Sequence, residues 1–267
     1  MAALVDDIPI YLLLLLILLS LAAAALLGYR LRRIMGLGSA NGSDGQEAYI
    51  VSAVLGLLAL LMGFTLSLSL DRFETRRALV LVEANAIGTA YLRTQLLAEP
   101  HRGRLSRLIV DYLDNRLGLV GLADAELEAR STHNDQLLAD LWAAAAAAFD
   151  TIRVYDFSTA YLDSINAVID TDTSRQTARD ARVPVEVFAL LLLFTLAASA
   201  ILGFVLVGPR RQVAAGMLLL LLALALLLML DIDRPSLGLV KESQAPLENL
   251  RRSLAATPAD HYDRWRT

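Results

Sequence analysis

Four stretches of this 267-residue chain carry no charged side chain: Ile8 to Gly28, Tyr49 to Leu70, Val187 to Gly208 and Val213 to Leu230. An α-helix rises about 1.5 Å per residue, so each of the first three would reach about 30 Å, the thickness of a bilayer's hydrocarbon core. The fourth is only slightly shorter. Helices buried in soluble proteins rarely stay uncharged for so long. The chain is therefore expected to cross a membrane four times. Its composition agrees, because 56% hydrophobic residues and a mean hydropathy of +0.53 require much of the surface to face something other than water.

The first stretch lacks the marks of a cleaved leader. Acidic Asp6 and Asp7 precede it and basic Arg30, Arg32 and Arg33 follow it, the reverse of a signal peptide, so it is expected to be retained. The chain then divides into an acidic N-terminus and first span (1–29), a flexible loop rich in Gly, Ser, Asn and Asp (30–48), and a second span (49–70). A helical extramembrane domain (71–184) follows, then a third span (185–208), a short basic loop (209–212), a fourth span (213–230) and a C-terminal tail (231–267). The fold class is all-α, a four-transmembrane-helix integral membrane protein with a helical extramembrane bundle between spans 2 and 3.

Within residues 71–184, Phe73, Val80, Ala84, Ile87 and Tyr91 share one helical stripe, and Pro100 marks a break. A second helix is expected from His101 towards Leu119, a third through the alanines 143–148, and a last one from about Phe157 until Pro184 interrupts it. Four spans place the N-terminus, the helical domain and the tail on one side. The arginines of both short loops, Arg30, Arg32, Arg33, Arg210 and Arg211, put those loops in the cytoplasm by the positive-inside rule, and the helical domain outside.

Several chemistries are excluded. With no cysteine there is no disulfide, thiolate catalysis or cysteine-ligated metal. His101, His133 and His261 lack metal-ligand spacing, and no Gly-rich nucleotide loop or nucleophile elbow is present. The spans hold no ionisable group besides tyrosine, which removes an intramembrane protease. No catalytic residue, metal or cofactor is expected, and the small net charge of −4 with dispersed arginines implies no nucleic-acid partner.

Along the second span Ser52, Gly56, Ala59, Gly63 and Ser67 step by four, three, four and four residues, one continuous stripe of small side chains. Such a stripe serves either close packing against a neighbouring helix or the wall of a pore in an oligomer. Thr65 and Ser69 add hydroxyls, and Arg72 and Arg76 continue their line into water, a path that would favour anions. At the same membrane face stand Asp71, Glu74, Arg77, Glu186, Asp231 and Asp233, read either as interfacial ion pairs or as a charged vestibule. Two carboxylates, Asp231 and Asp233, are too few for a calcium site. In the helical domain Glu83, at the border of the apolar stripe, and Asn85 are expected to make interhelical contacts with Asn166 and Asp170.

Two segments carry a resemblance. GFTLSLSLDRFETRRALVLVEANAIGTAYLR, Gly63 to Arg93, and LDIDRPSLG, Leu230 to Gly238, resemble the hallmark regions of the bacterial bestrophin-like membrane proteins. The likeness covers most of the chain, including its order of two hairpins. More remotely the chain is similar to bestrophins, pentameric anion channels whose second transmembrane helix lines the neck. Their acid-and-arginine run follows that helix, as Asp71, Arg72, Phe73 and Glu74 do here.

The resemblance implies a homo-oligomer, a pentamer, in a bacterial plasma membrane, in contact with lipid and with small inorganic ions such as chloride. It also implies a cytoplasmic helical domain, opposite to the placement by loop charge. Beyond Tyr49 at its start, the second span has Phe64 as its only aromatic, whereas bestrophin necks are rich in them. Two functions remain in view: an oligomeric ion channel with the second span facing the axis, and a membrane-anchored helical scaffold or sensor through which nothing passes.

Overall fold

A computed structural model describes residues 8–35, 44–119, 124–206, 209–234 and 239–265. The described residues form helices and short connections: α1 Ile10–Ile34, α2 Asp44–Thr94, α3 His101–Gly118, α4 Asp124–Ile152, α5 Phe157–Asp180, α6 Val185–Val205, α7 Pro209–Asp233 and α8 Ala245–Ala256. A 3-10 helix, Ala259–Trp265, closes the chain. Among the described residues four helices are long and apolar enough to cross a membrane, and each contains all or most of one of the four uncharged stretches. Most of the Gly-rich loop expected at 30–48 lies outside the described residues, as do Asp6 and Asp7.

The chain divides into two compact units. One, the membrane unit, comprises residues 1–73 and 182–240; the other, the helical unit, comprises 74–181 and 241–267. Helix α2 supplies residues to both.

In the membrane unit, α1 packs most closely against α6, and α7 packs against both. The α1–α6 seam is backbone against backbone. A Cβ built on Gly28 would collide with the Ala200 carbonyl, and one on Gly203 would collide with that of Ala25. Glycine is required at both points by closeness of approach. At the end of the seam Arg32 donates a hydrogen bond of 3.0 Å to the Phe204 carbonyl, and its guanidinium lies 5.8 Å from the Phe204 ring centroid. Pro184, lacking an N–H, sits just ahead of α6 and ends the preceding chain segment as expected. The core of this unit joins Leu13, Ile17 and Leu21 of α1 with Leu58 and Met62 of α2, Leu191 and Ala198 of α6, and Ala223, Leu226 and Met229 of α7.

In the helical unit, α3 packs on α4, α4 on α5, and α8 on α3. Its core is built from regular stripes: Val80, Ala84, Ile87 and Tyr91 on α2, Leu105, Ile109 and Tyr112 on α3, and Tyr161, Ile165 and Val168 on α5. The alanine-rich stretch of α4 lets neighbours approach closely, with Ala144, Ala145 and Ala148 buried. Most of the C-terminal tail expected at 231–267 also joins this unit: Leu247 and Leu254, seven residues apart on one face of α8, are buried in its core.

Candidate functional site

The small-residue stripe of α2 is exposed along its whole length in the single chain: Ser52, Gly56, Ala59, Gly63 and Ser67 all face outward. A Cβ added at Gly56 or Gly63 would meet nothing within 4 Å. Elsewhere the outward surface of the membrane unit is mostly of another kind. It is rich in leucines such as Leu15, Leu19 and Leu27 on α1, Leu190 and Leu193 on α6, and Leu221 and Leu228 on α7, with Ala22 and Ala23 on α1 and Ala214 and Gly216 on α7 as small exposed residues that carry no hydroxyl. Those suit lipid chains. The α2 stripe instead offers bare backbone and two hydroxyls.

Thr65 and Ser69 do not share that surface. With Leu58 and Met62 they form the inward line of α2, and they are 6% and 0% exposed. At about 100° per residue the two lines lie roughly 130° apart, so hydroxyls at 65 and 69 cannot point where 63 and 67 point. Thr65 donates to the Leu61 carbonyl at 2.9 Å, satisfied within its own helix. The expected path from hydroxyls to arginines therefore turns into the chain. Arg72, next on that line, is half-buried.

The charges beyond the membrane exit separate as well. Asp71, four residues after Ser67, is exposed and continues the outward stripe. Glu74 and Arg77 are exposed and pair with each other at 3.4 Å, and Glu186 is exposed. Arg76 is withdrawn from any mouth: it pairs with Glu242 at 2.6 Å, with both side chains under 10% exposed.

Asp231 and Asp233 likewise turn inward in the single chain. Both are buried, and both accept from backbone amides: Asp231 from Leu239 at 2.8 Å and Val240 at 3.0 Å, Asp233 from Val183 at 3.1 Å. Arg234 donates to the Ile8 carbonyl at 3.1 Å. The LDIDR segment at the end of α7 thus fastens the chain before α6, the start of α1 and the residues after α7. Charge-assisted bonds to backbone N–H groups explain why acids stand there.

Glu83 is the centre of a buried cluster whose other members the sequence did not single out. It is fully buried; its Oε1 accepts from Arg116 Nε at 2.6 Å and Tyr112 Oη at 3.0 Å, and its Oε2 accepts from Arg175. Asp172, also buried, pairs with Arg116 at 3.2 Å, lies 3.2 Å from Tyr112 Oη, and accepts from Asn134 at 3.2 Å and Gln176 at 2.7 Å. Two carboxylates balance two guanidiniums, so the cluster is neutral and joins α2, α3, α4 and α5.

Burial, and next the Glu83 carboxylate, push the Tyr112 phenol well above its ordinary range, which keeps it a hydrogen-bond donor. Burial works against the charge on Arg116, yet Glu83, Tyr112 and Asp172 together outweigh it and hold the guanidinium above the usual arginine value. Asn85, Asn166 and Asp170 are all exposed and make no contact with Glu83. The signal for the real partners is a stripe. Tyr161, Ile165, Val168, Asp172 and Arg175 step by four, three, four and three residues, as Leu105, Ile109, Tyr112 and Arg116 step by four, three and four.

A model of the Bestrophin-like domain matches residues 17–247. Two crystal structures of a bacterial bestrophin homolog from Klebsiella pneumoniae superpose with TM-scores of 0.63 and 0.65, each at 17% identity. They cover 92% and 93% of this chain and 96% and 98% of their own. A further crystal structure, described as that of a membrane protein, gives a TM-score of 0.67 at 15% identity over 93% of this chain and 98% of its own. At these identities the likeness is one of fold. No curated protein matches the chain.

Proposed function

The chain belongs to the bestrophin-like family, and from that premise we propose that it assembles with further copies of itself, as a pentamer by family resemblance, into an ion channel whose axis is lined by the outward stripe of α2. One observation carries this reading: the only small, hydroxyl-bearing line among the outward positions named above is on α2, and no described residue of the chain covers it. A helix face bare of bulky side chains leaves room for water where several copies meet around an axis.

The sign of the ion follows from the charges that remain on that face. Anion preference, the expectation from the sequence, rested on arginines continuing the hydroxyl line, and Arg76 on that line is buried against Glu242. The outward stripe ends on Asp71, whose exposed carboxylate concentrates cations. The proposal is therefore a membrane channel with cation preference, with the buried Glu83 cluster as internal structure of the helical unit and no catalytic role for any residue.

Purified protein in planar bilayers under a potassium chloride gradient tests it. Conductance reversing near the potassium potential is expected, with Asp71→Asn reducing that preference. Reversal near the chloride potential would overturn the cation assignment. Silence across voltage and pH would overturn conduction and leave the anchored-scaffold reading.

A further inference from the structure

A cavity of about 210 Å3 opens beside the buried ion cluster, between α3, α4 and α5. Its wall includes Arg116, Ser131, Asn134, Gln176 and Arg179. Three of these are committed. Asn134 and Gln176 each donate to Asp172, and Arg116 spends Nε on Glu83 and one terminal nitrogen on Asp172. Arg179 is different. It is half-buried and makes no hydrogen bond or ion pair with any described residue; the guanidiniums of Arg175 and Arg116 act on it as like charges, and more weakly Glu242, itself paired with Arg76, and Glu83 act on it as opposite ones.

Arg116, Arg175 and Arg179 set against Glu83 and Asp172 leave one positive charge uncompensated at this place. The remaining acid on the wall, Asp180, is exposed, where water screens it. Arg179 also lies in the last turn of α5, where a cation complements the carbonyl end of the helix. That accounts for a positive charge, but a lysine would serve equally, and it leaves the five N–H donors of a guanidinium on the cavity wall with no hydrogen-bond partner among the described residues.

We propose that this cavity binds a small oxyanion, inorganic phosphate or a short carboxylate, held by the Arg179 guanidinium with the Ser131 hydroxyl and the uncommitted nitrogen of Arg116 as further donors. A planar guanidinium fork matches two oxygens of one anion. The volume sets the size: sites for drug-sized ligands occupy about 300–1,000 Å3, so a nucleotide does not fit here and a small ion with a few waters does. A bound anion would tie α3, α4 and α5 together at the edge of the Glu83 cluster. The site does not depend on whether the protein conducts.

The test uses the full-length protein in detergent, titrated calorimetrically with inorganic phosphate and, separately, with acetate, against chloride at matched ionic strength. Saturable binding of either oxyanion, with a rise in unfolding temperature that chloride does not give, is expected, and which one binds identifies the oxygen geometry preferred. Arg179→Gln should weaken that binding about tenfold or more, and Arg179→Lys less, since it keeps the charge and loses the fork. Ser67→Trp, a lesion of the proposed pore, should leave it unchanged. Absence of saturable binding by either oxyanion, or binding unaltered in Arg179→Gln, overturns the site. Binding in a protein that passes no current overturns only the channel.

Discussion

Small side chains are used in opposite ways at two places in the membrane unit. On α1 and α6, Gly28 and Gly203 sit where a Cβ would strike the backbone of the facing helix. On α2, Gly56 and Gly63 face open space. The spacing looks alike in both, Ala24 with Gly28 and Ser199 with Gly203 on one side, Ser52 with Gly56 and Ala59 with Gly63 on the other. What differs is whether the chain provides its own partner. The α1–α6 seam is a finished interface, whereas no described residue of the chain covers the α2 stripe.

A lesion away from both surfaces sets the scale. Glu83→Ala strands Arg175 in the core and leaves Arg116 with Asp172 alone, and removing one partner of a buried ion pair costs about 3–5 kcal/mol. Chemical denaturation of the detergent-solubilised protein, followed by helical signal, should show it as the largest loss. The paired glycine substitutions come next and separate the two surfaces. Gly203→Ala forces the α1–α6 seam apart and should cost about 1–3 kcal/mol. Gly56→Ala meets no atom and replaces a poor helix former, so the stability of the chain should stay level or rise by less than about 1 kcal/mol. Equal losses in the two glycine variants would break the distinction between a closed seam and an open stripe.

Much of this architecture is legible in the sequence because membrane spans are governed by one dominant requirement, an uncharged length of helix. The helix at Phe157 and the break at Pro184 followed from patterning and from proline's missing donor. Which small-residue line meets which neighbour did not, since spacing specifies close approach and not the partner. The burial of charge did not follow for a different reason. Asp231, Asp233, Arg76, Asp172 and Arg175 are ionised types that ordinarily sit in water, yet all are buried, and all but Asp231 have partners distant in the chain. Where a charge falls in register with an apolar stripe, as Asp172 and Arg175 do after Val168, the register predicts burial better than the residue type.

The chain contains no cysteine, so Ser67→Cys places a single thiol on the α2 stripe without other change to its chemistry. If the stripe lines a hydrated axis as proposed, a charged, water-soluble thiol reagent applied to membranes should modify that position and block the current. A thiol inert to that reagent but labelled by a lipid-soluble maleimide, with current unaffected, would place the stripe against lipid and contradict the account.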